Sequence, residues 1–128
     1  MDIFTYNQEG LRPGVTLNPE LQVFEIVGKS CPENVVEFYK PILDWFDKYS
    51  ENPNEKTIFE FKLEYYNTAS SKMLYVVMQK LEHIKEKGKE VHVRWFYPDD
   101  DEALEEAGEE YKELIDLPFE LIPFNSEE

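Results

Sequence analysis

The chain has 128 residues, of which 41% are hydrophobic and 15% aromatic, and its formal net charge is −15 at pH 7. This length suits a single domain over residues 1–128, because a chain of this size buries one sizeable core but not two. A protein this acidic repels nucleic-acid phosphates and anionic membrane surfaces, so its composition argues against both kinds of partner.

The expected compartment follows from features that the sequence lacks. No apolar run approaches the roughly 20 residues of a membrane span, and the first residues show neither the basic region nor the apolar core of a signal peptide. Cys31 is the only cysteine, so no internal disulfide can form, which is typical of a reducing compartment. We therefore expect a soluble, cytoplasmic protein.

The first half of the chain predicts two strands and one long helix. Residues 1–19 are rich in turn formers and contain one short strand, and the apolar run over residues 21–27 predicts a second. Ser30, followed by Pro32 and Glu33, has the pattern of a helix start. The helix that follows carries apolar residues at spacings of three and four: Val35, Tyr39, Ile42, Phe46 and Tyr49. Pro41 lies inside it and predicts a kink or two shorter helices.

The second half of the chain alternates strands with helices. Strands are predicted over residues 57–66, 90–97 and 119–124, and helices over residues 70–87 and from residue 99 onward. The first of these strands is amphipathic, and its apolar face is predicted to consist of Phe59, Phe61, Leu63 and Tyr65.

The order of these elements predicts the fold. Strands that alternate with helices pair in parallel through right-handed crossovers. Two of the middle strands have a polar face, which a sheet covered on both sides would not tolerate. We therefore predict an α/β fold, a two-layer sandwich with a mostly parallel sheet of four or five strands and helices mainly on one face. An antiparallel strand from residues 13–18 is expected at one edge.

The junction between residues 57–66 and 70–87 is the most informative part of the sequence. It contains Asn67-Thr68-Ala69-Ser70-Ser71-Lys72 and so places three hydroxyls at a helix start. The first N–H groups of a helix lack internal partners and carry the positive end of its dipole, so they favour an oxygen-rich or anionic neighbour. A hydroxyl there can be an ordinary N-cap, which is the simpler interpretation, or the acceptor of a phosphate group.

The residues do not favour an enzyme. His83 and His92 have no sequence neighbours that suggest a catalytic triad, and Cys31 is more simply a half-buried structural residue. The sequence has no glycine-rich phosphate loop and no metal-binding motif, so we expect no cofactor and no metal. The acidic run over residues 99–110 lacks the ligand spacing of a calcium loop and suits a solvated helix face, which can also dock a basic partner.

The segment around Thr68 resembles the phosphorylation motif of the SiaC family of bacterial regulatory phosphoproteins. Two other segments are similar to the same family: one is Gly28-Lys29-Ser30-Cys31-Pro32-Glu33-Asn34, and the other contains Trp95-Phe96-Tyr97 and Leu117-Pro118-Phe119. The likeness covers about residues 15–124. This chain has Tyr66 where Phe is common in the family and Ala69 where Ser is common.

The resemblance implies both a fold and a function. The family resembles the STAS domain of anti-sigma factor antagonists, a compact α/β fold with helices on one side of the sheet. Its members are implied to be non-enzymatic partner-switching proteins, phosphorylated by a cognate Ser/Thr kinase and dephosphorylated by a PP2C-type phosphatase. The unphosphorylated form is implied to bind and regulate a target such as a diguanylate cyclase, which promotes biofilm formation.

The motif match carries over to particular residues. Thr68 is implied to be the phosphoacceptor, with Ser70 as a minor alternative. The surroundings of the phosphorylation site, which are also implied to bind the partner, are Tyr66, Asn67, Ser70, Ser71 and Lys72. Two other functions stay open: a STAS-like module that binds a nucleotide or another small ligand without phosphoregulation, and a small hydrolase or other enzyme with an unrecognised site.

Overall fold

The computed structural model describes residues 2–125, which form one six-stranded sheet and three helices. The strands are β1 (Phe4–Tyr6), β2 (Gly14–Asn18), β3 (Val23–Ser30), β4 (Lys56–Tyr66), β5 (Glu90–Pro98) and β6 (Phe119–Phe124). The helices are α1 (Val35–Tyr49), α2 (Thr68–Glu86) and α3 (Glu102–Leu114).

The sheet is mixed, and its strands lie side by side in chain order. The first three strands pair antiparallel, whereas β3, β4, β5 and β6 pair in parallel. The predicted number of four or five strands was therefore wrong, and the sheet is mixed, with three parallel and two antiparallel strand pairings. The difference arises in residues 1–19, because their turn formers connect two short strands, β1 and β2, rather than surrounding one.

One face of the sheet carries the hydrophobic core. When consecutive parallel strands are also neighbours, right-handed crossovers place every connecting helix on the same side. The burial pattern agrees, since alternate residues of β4 and β5 are almost inaccessible to solvent: Phe59, Phe61, Leu63, Val91, Val93 and Trp95. Burying a side chain of this size stabilises the fold by about 1.5–3 kcal/mol.

The opposite face of the sheet is polar and carries a ladder of ion pairs. Glu25, Glu60, Arg94 and Glu120 lie next to one another on four successive strands. Arg94 lies 3.6 Å from Glu60 and 3.7 Å from Glu120, and Lys62 lies 3.4 Å from Glu25. Exposed pairs of this kind contribute at most about 1 kcal/mol each. Their main effect is to keep a sheet face without helices compatible with water.

The start of α1 differs from the sequence prediction. Its N-cap is Asn34, whose side-chain oxygen accepts a hydrogen bond from the N–H of Glu37 at 3.1 Å. Ser30 instead ends β3 and is completely buried. Helix α1 then continues through Pro41 without interruption, so the prediction of two shorter helices was wrong. Proline removes a single backbone donor, and the buried side chains on both sides of it hold the helix together.

Helix α3 packs closely against the sheet at Gly108, which has no side chain to separate them. A Cβ atom built on Gly108 would lie 2.5 Å from both the Trp95 ring and the Leu121 side chain. The Trp95 ring cannot move aside easily, because its indole N–H donates to the Leu104 carbonyl at 2.9 Å and the residue is buried. The packing of α3 on β5 and β6 therefore requires a residue without a side chain.

Gly108→Ala should destabilise the protein by about 1–3 kcal/mol, because an added methyl overpacks the contact between α3 and the sheet. In an open helix the same change would be stabilising by about 1 kcal/mol. The matched control is Glu109→Ala, an exposed position on the same helix, which should change the stability by no more than about 0.5 kcal/mol. Denaturant unfolding measures both variants, and a Gly108→Ala protein as stable as wild type would contradict the packing described here.

Candidate functional site

The candidate site begins with an irregularity at the end of β4. Gly28 pairs with Leu63, but the next residue of β3, Lys29, pairs with Tyr65, so Glu64 is an extra residue in β4. The alternation of the strand reverses at this bulge. Tyr65 consequently points outward with 57% of its surface exposed, and the prediction that it shares a face with Leu63 was wrong. Tyr66 turns toward the core instead, with its ring edge-on to Trp95 at 6.1 Å.

Asn67 follows the last residue of β4 and caps the helix that comes next. Its side-chain oxygen accepts from the N–H of Ser70 at 2.8 Å, and its backbone oxygen accepts from the N–H of Ser71 at 3.0 Å. Helix α2 therefore begins at Thr68, two residues earlier than predicted. Since Asn67 is the N-cap, the hydroxyls of Thr68, Ser70 and Ser71 are not needed for that role.

Thr68 is the first residue of α2 and is exposed to solvent. Within residues 2–125, neither its hydroxyl nor the N–H groups of Thr68 and Ala69 have a hydrogen-bond partner. The first turn of α2 contains no acidic residue, and Lys72, one turn further on, is exposed with no carboxylate of the described chain in ion-pair range. The start of α2 thus presents unsatisfied donors and positive charge around one open hydroxyl.

The other two hydroxyls of the motif are already engaged. Ser70 is completely buried, and its Oγ accepts a hydrogen bond from Ser30 Oγ at 3.0 Å. Ser71 is half-buried, and its hydroxyl donates to the backbone oxygen of Thr68 at 2.6 Å. The burial of Ser70 argues against it as the alternative acceptor.

A groove of about 480 Å³ lies beside Thr68, between the start of α2 and the outer part of α3. One wall belongs to the motif and to α2, and the other is formed by Ala107, Glu110, Tyr111 and Leu114 of α3. The groove brings together five of the sequence-predicted residues: Tyr66, Asn67, Thr68, Ser71 and Lys72. Ser70 is the predicted residue that does not line it.

Tyr111 joins the two helices beneath this groove. Its hydroxyl donates to the backbone oxygen of Ser71 at 2.8 Å, and its ring packs against Trp95 at 5.4 Å. Burial raises the pKa of Tyr111 well above its ordinary value, and burial also raises the pKa of Tyr66. Both phenols therefore stay neutral around pH 7. Their rings form an aromatic floor beneath the groove.

The α3 side of the groove was missed from the sequence. Ala107, Tyr111 and Leu114 recur at helical spacing, which predicts core residues rather than a binding surface. Leu114 is nevertheless 63% exposed, so the apolar stripe of α3 extends beyond the core into the groove. The signal available in the sequence was that the apolar residues of α3 extend as far as Leu114, beyond the part of the helix that packs on the sheet.

The residues considered for catalysis lie apart from this site. His92 is hydrogen-bonded to Glu90 at 2.7 Å on the polar face of the sheet, and His83 lies 3.9 Å from Glu86 on α2. Cys31 is half-buried. In residues 2–125 no three His, Cys, Asp or Glu side chains are arranged to hold a metal ion. The helices of that part are also too short or too polar to span a membrane.

The fold and the groove define a small α/β protein that presents an exposed hydroxyl at a helix start. A family model described as "SiaC family regulatory phosphoprotein" matches residues 6–124. The chain belongs to the SiaC family, as the resemblance in its sequence indicated.

Individual relatives agree with this assignment. The chain is 28% identical over 113 residues to an uncharacterized protein of Pseudomonas aeruginosa, strain UCBPP-PA14, covering 84% of this chain and 90% of that protein. A solved structure of SiaC of Pseudomonas aeruginosa is 25% identical, with a TM-score of 0.87 and coverage of 97% of this chain and 100% of the other. A similar match, at 24% identity and a TM-score of 0.87, covers 94% and 99% of the chains. It comes from the crystal structure of diguanylate cyclase SiaD in complex with its activator SiaC.

Tyr111→Phe should lower the free energy of unfolding by about 0.5–1.5 kcal/mol, because it removes the hydrogen bond that ties α3 to the first turn of α2. Tyr65→Phe is the control, since Tyr65 is largely exposed and its hydroxyl has no partner within residues 2–125. Thermal or denaturant unfolding compares the two variants. Equal stability of the two variants would show that the Tyr111 hydroxyl does not connect the helices.

Proposed function

We propose that this protein is a cytoplasmic, non-enzymatic regulator that switches partners through reversible phosphorylation of Thr68. The observation that carries the proposal is the state of the three motif hydroxyls, because Thr68 alone is exposed and unbonded while Ser70 is buried and Ser71 is hydrogen-bonded. Membership of a family of regulatory phosphoproteins supports the same interpretation. A Ser/Thr kinase would add the phosphate, and a PP2C-type phosphatase would remove it.

The local structure suits a phosphate on Thr68 without any change of fold. A phosphothreonine carries about −1.5 to −2 charges at pH 7. The unsatisfied N–H groups of Thr68 and Ala69 and the positive end of the α2 dipole favour this charge. The side chain of Lys72, one helical turn further on, is exposed, so its ammonium group could donate a charge-assisted hydrogen bond to a phosphate on Thr68.

The same charge would prevent a partner from covering the groove. Thr68 lies in the groove wall beside Tyr66 and Tyr111, so a protein seated there would bury the Thr68 hydroxyl. A phosphate dianion on Thr68 would lose its hydrating water when the partner binds, and the partner surface, which is complementary to a neutral hydroxyl, would not replace that water. Burying a charge without a matching partner costs several kcal/mol, which is enough to abolish a protein–protein complex.

The proposed target is a diguanylate cyclase. The SiaC protein of Pseudomonas aeruginosa has been solved in complex with diguanylate cyclase SiaD, of which it is the activator, and that SiaC has the same fold as this chain. The unphosphorylated form of this protein would bind and activate a cyclase of its own organism, and phosphorylation would release it. Regulation of biofilm formation is the expected consequence.

Phosphopeptide mass spectrometry on protein purified from its native host should find phosphate on Thr68 and not on Ser70. The physical reason is access, since a kinase reaches an exposed hydroxyl but not one in the core. The Thr68→Ala protein from the same host serves as the control and should carry no phosphate in this peptide. Phosphate on Ser70, or no phosphate on the peptide under any growth condition, would refute the proposed acceptor.

Thr68→Ala should bind the cyclase as wild type does, whereas Thr68→Glu should raise the dissociation constant at least about 30-fold, since an interfacial unpaired charge costs about 2 kcal/mol or more. Thr5→Glu is the matched control, because it adds the same charge at an exposed position of edge strand β1. Calorimetric titration measures all three, and unfolding curves check that each variant is folded. Wild-type binding by Thr68→Glu would refute the switch.

A second candidate function rests on the groove itself. The rings of Tyr66 and Tyr111 line the groove, and an aromatic surface of this kind could stack against the base of a nucleotide. In that case the protein would be a STAS-like ligand-binding module without phosphoregulation. A thermal-shift screen of wild type and Thr68→Ala against nucleotides distinguishes the two functions, because stabilisation of both proteins by one nucleotide would favour the ligand-binding module.

A further inference from the structure

A chain of three buried hydroxyls links α1, β3 and α2 beneath the candidate site. The Tyr39 hydroxyl of α1 lies 2.6 Å from Ser30 Oγ, and Ser30 Oγ donates to Ser70 Oγ at 3.0 Å. Each of these residues has a relative exposure of 0%. Bulk water therefore does not reach these hydroxyls, and losing one of them removes a buried hydrogen bond from its neighbour.

The direction of the chain follows from counting protons. Serine has one hydroxyl proton, and that of Ser30 is donated to Ser70. The Tyr39 phenol must therefore donate to Ser30. Burial raises the pKa of Tyr39 to about 12, so the phenol keeps its proton throughout the physiological range and the direction of donation does not change with pH.

Ser30 contacts the first turn of α2 at two points. Its side chain donates to Ser70, and its backbone oxygen accepts from the N–H of Asn67 at 3.3 Å. Asn67 in turn caps the N–H of Ser70. Thr68 lies between these two anchored residues, so its backbone is held from the core side while its own hydroxyl faces solvent.

We propose that Ser30 and Tyr39 are positioning residues for phosphorylation, because their hydroxyl chain fixes the turn that presents Thr68 to its kinase. This assignment rests on the proposed function, in which Thr68 is the acceptor. Phosphoryl transfer depends strongly on the placement of the attacking hydroxyl, and a misplacement of about 1 Å can cost 100-fold in rate. A turn that opens part of the time would therefore lose phosphorylation rate before the protein loses its fold.

The far end of α1 provides a matched control. Tyr49 lies 2.8 Å from Thr57 Oγ1, and both residues are buried. This second hydroxyl pair joins α1 to β4 as the first chain joins α1 to β3, but it lies at the opposite end of α1 from the residues that fix Thr68. Thr57→Val removes the Thr57 hydroxyl at nearly constant volume, while the Tyr49 hydroxyl keeps its bond from the N–H of Asn54 at 3.1 Å.

Amide hydrogen exchange by NMR tests the anchoring directly. The informative amides are those of Asn67, Ser70 and Ser71, since each is hydrogen-bonded at the start of α2. In Ser30→Ala these three should exchange about tenfold faster than in wild type, relative to the central amides of α2. In Thr57→Val, the exchange rates of these three amides relative to the central amides of α2 should equal those in wild type. An unchanged ratio in Ser30→Ala would overturn the proposal.

Phosphorylation itself is the readout that a merely structural role would not move. Each protein is incubated with ATP and an extract of the native host as the source of kinase, and phosphate on Thr68 is followed by mass spectrometry. Ser30→Ala should be phosphorylated about tenfold more slowly than wild type, and Thr57→Val at the wild-type rate. Tyr39→Phe keeps the hydrogen bond between Ser30 and Ser70, so this variant should fold even if Ser30→Ala does not. Its rate of phosphorylation should fall less than that of Ser30→Ala.

The outcomes separate this proposal from the function on which it rests. Equal rates for wild type, Ser30→Ala and Tyr39→Phe would overturn the positioning role while leaving Thr68 as the acceptor. Equal slowing in Ser30→Ala and Thr57→Val would overturn it as well, because the effect would then be one of general stability. No phosphate on wild-type Thr68 would overturn the proposed function and the positioning role together.

Discussion

The arrangement of the candidate site depends on the extra residue that Glu64 adds to β4. Without it, Tyr65 would face the core and Tyr66 would face solvent, as the regular alternation of the strand predicts. With it, Tyr66 packs on Trp95, and Asn67 arrives at the sheet end where the Ser30 backbone oxygen accepts its N–H. The position of α2, and hence the exposure of Thr68, follows from this one irregularity in strand pairing.

The sequence predicts the regular parts of this protein well, because their patterns are local. The last strand was placed at its observed limits, Phe119–Phe124, and the helix over residues 35–49 has the predicted spacing. Two of the features that it did not predict depend on contacts between distant residues. Ser30 has the sequence pattern of a helix cap, but its hydroxyl is hydrogen-bonded to Tyr39 and Ser70 in the core. The bulge in β4 can be recognised only from its pairing with β3.

The same distinction applies to the candidate site. The hydroxyl motif at residues 66–72 was recognisable because it lies at a change from strand to helix periodicity, and the structure places six of its seven residues on or beside the surface. Tyr111 was not recognisable, since nothing in a helix stripe shows which distant turn it will contact. Its bond to the Ser71 backbone oxygen arises only when α3 folds back across β5.

The close approach at Gly108 has a consequence for recognition. Gly108 does not line the groove, yet it lies between groove residues Ala107 and Tyr111 on the face of α3 that touches the sheet. Any larger residue would lift α3 outward and move its groove-lining side chains away from α2. The spacing of the two groove walls thus depends on the lack of a side chain at Gly108, where α3 packs against the sheet. Under the proposed function, variation at this buried position would change which partners fit the groove, although Gly108 itself does not line it.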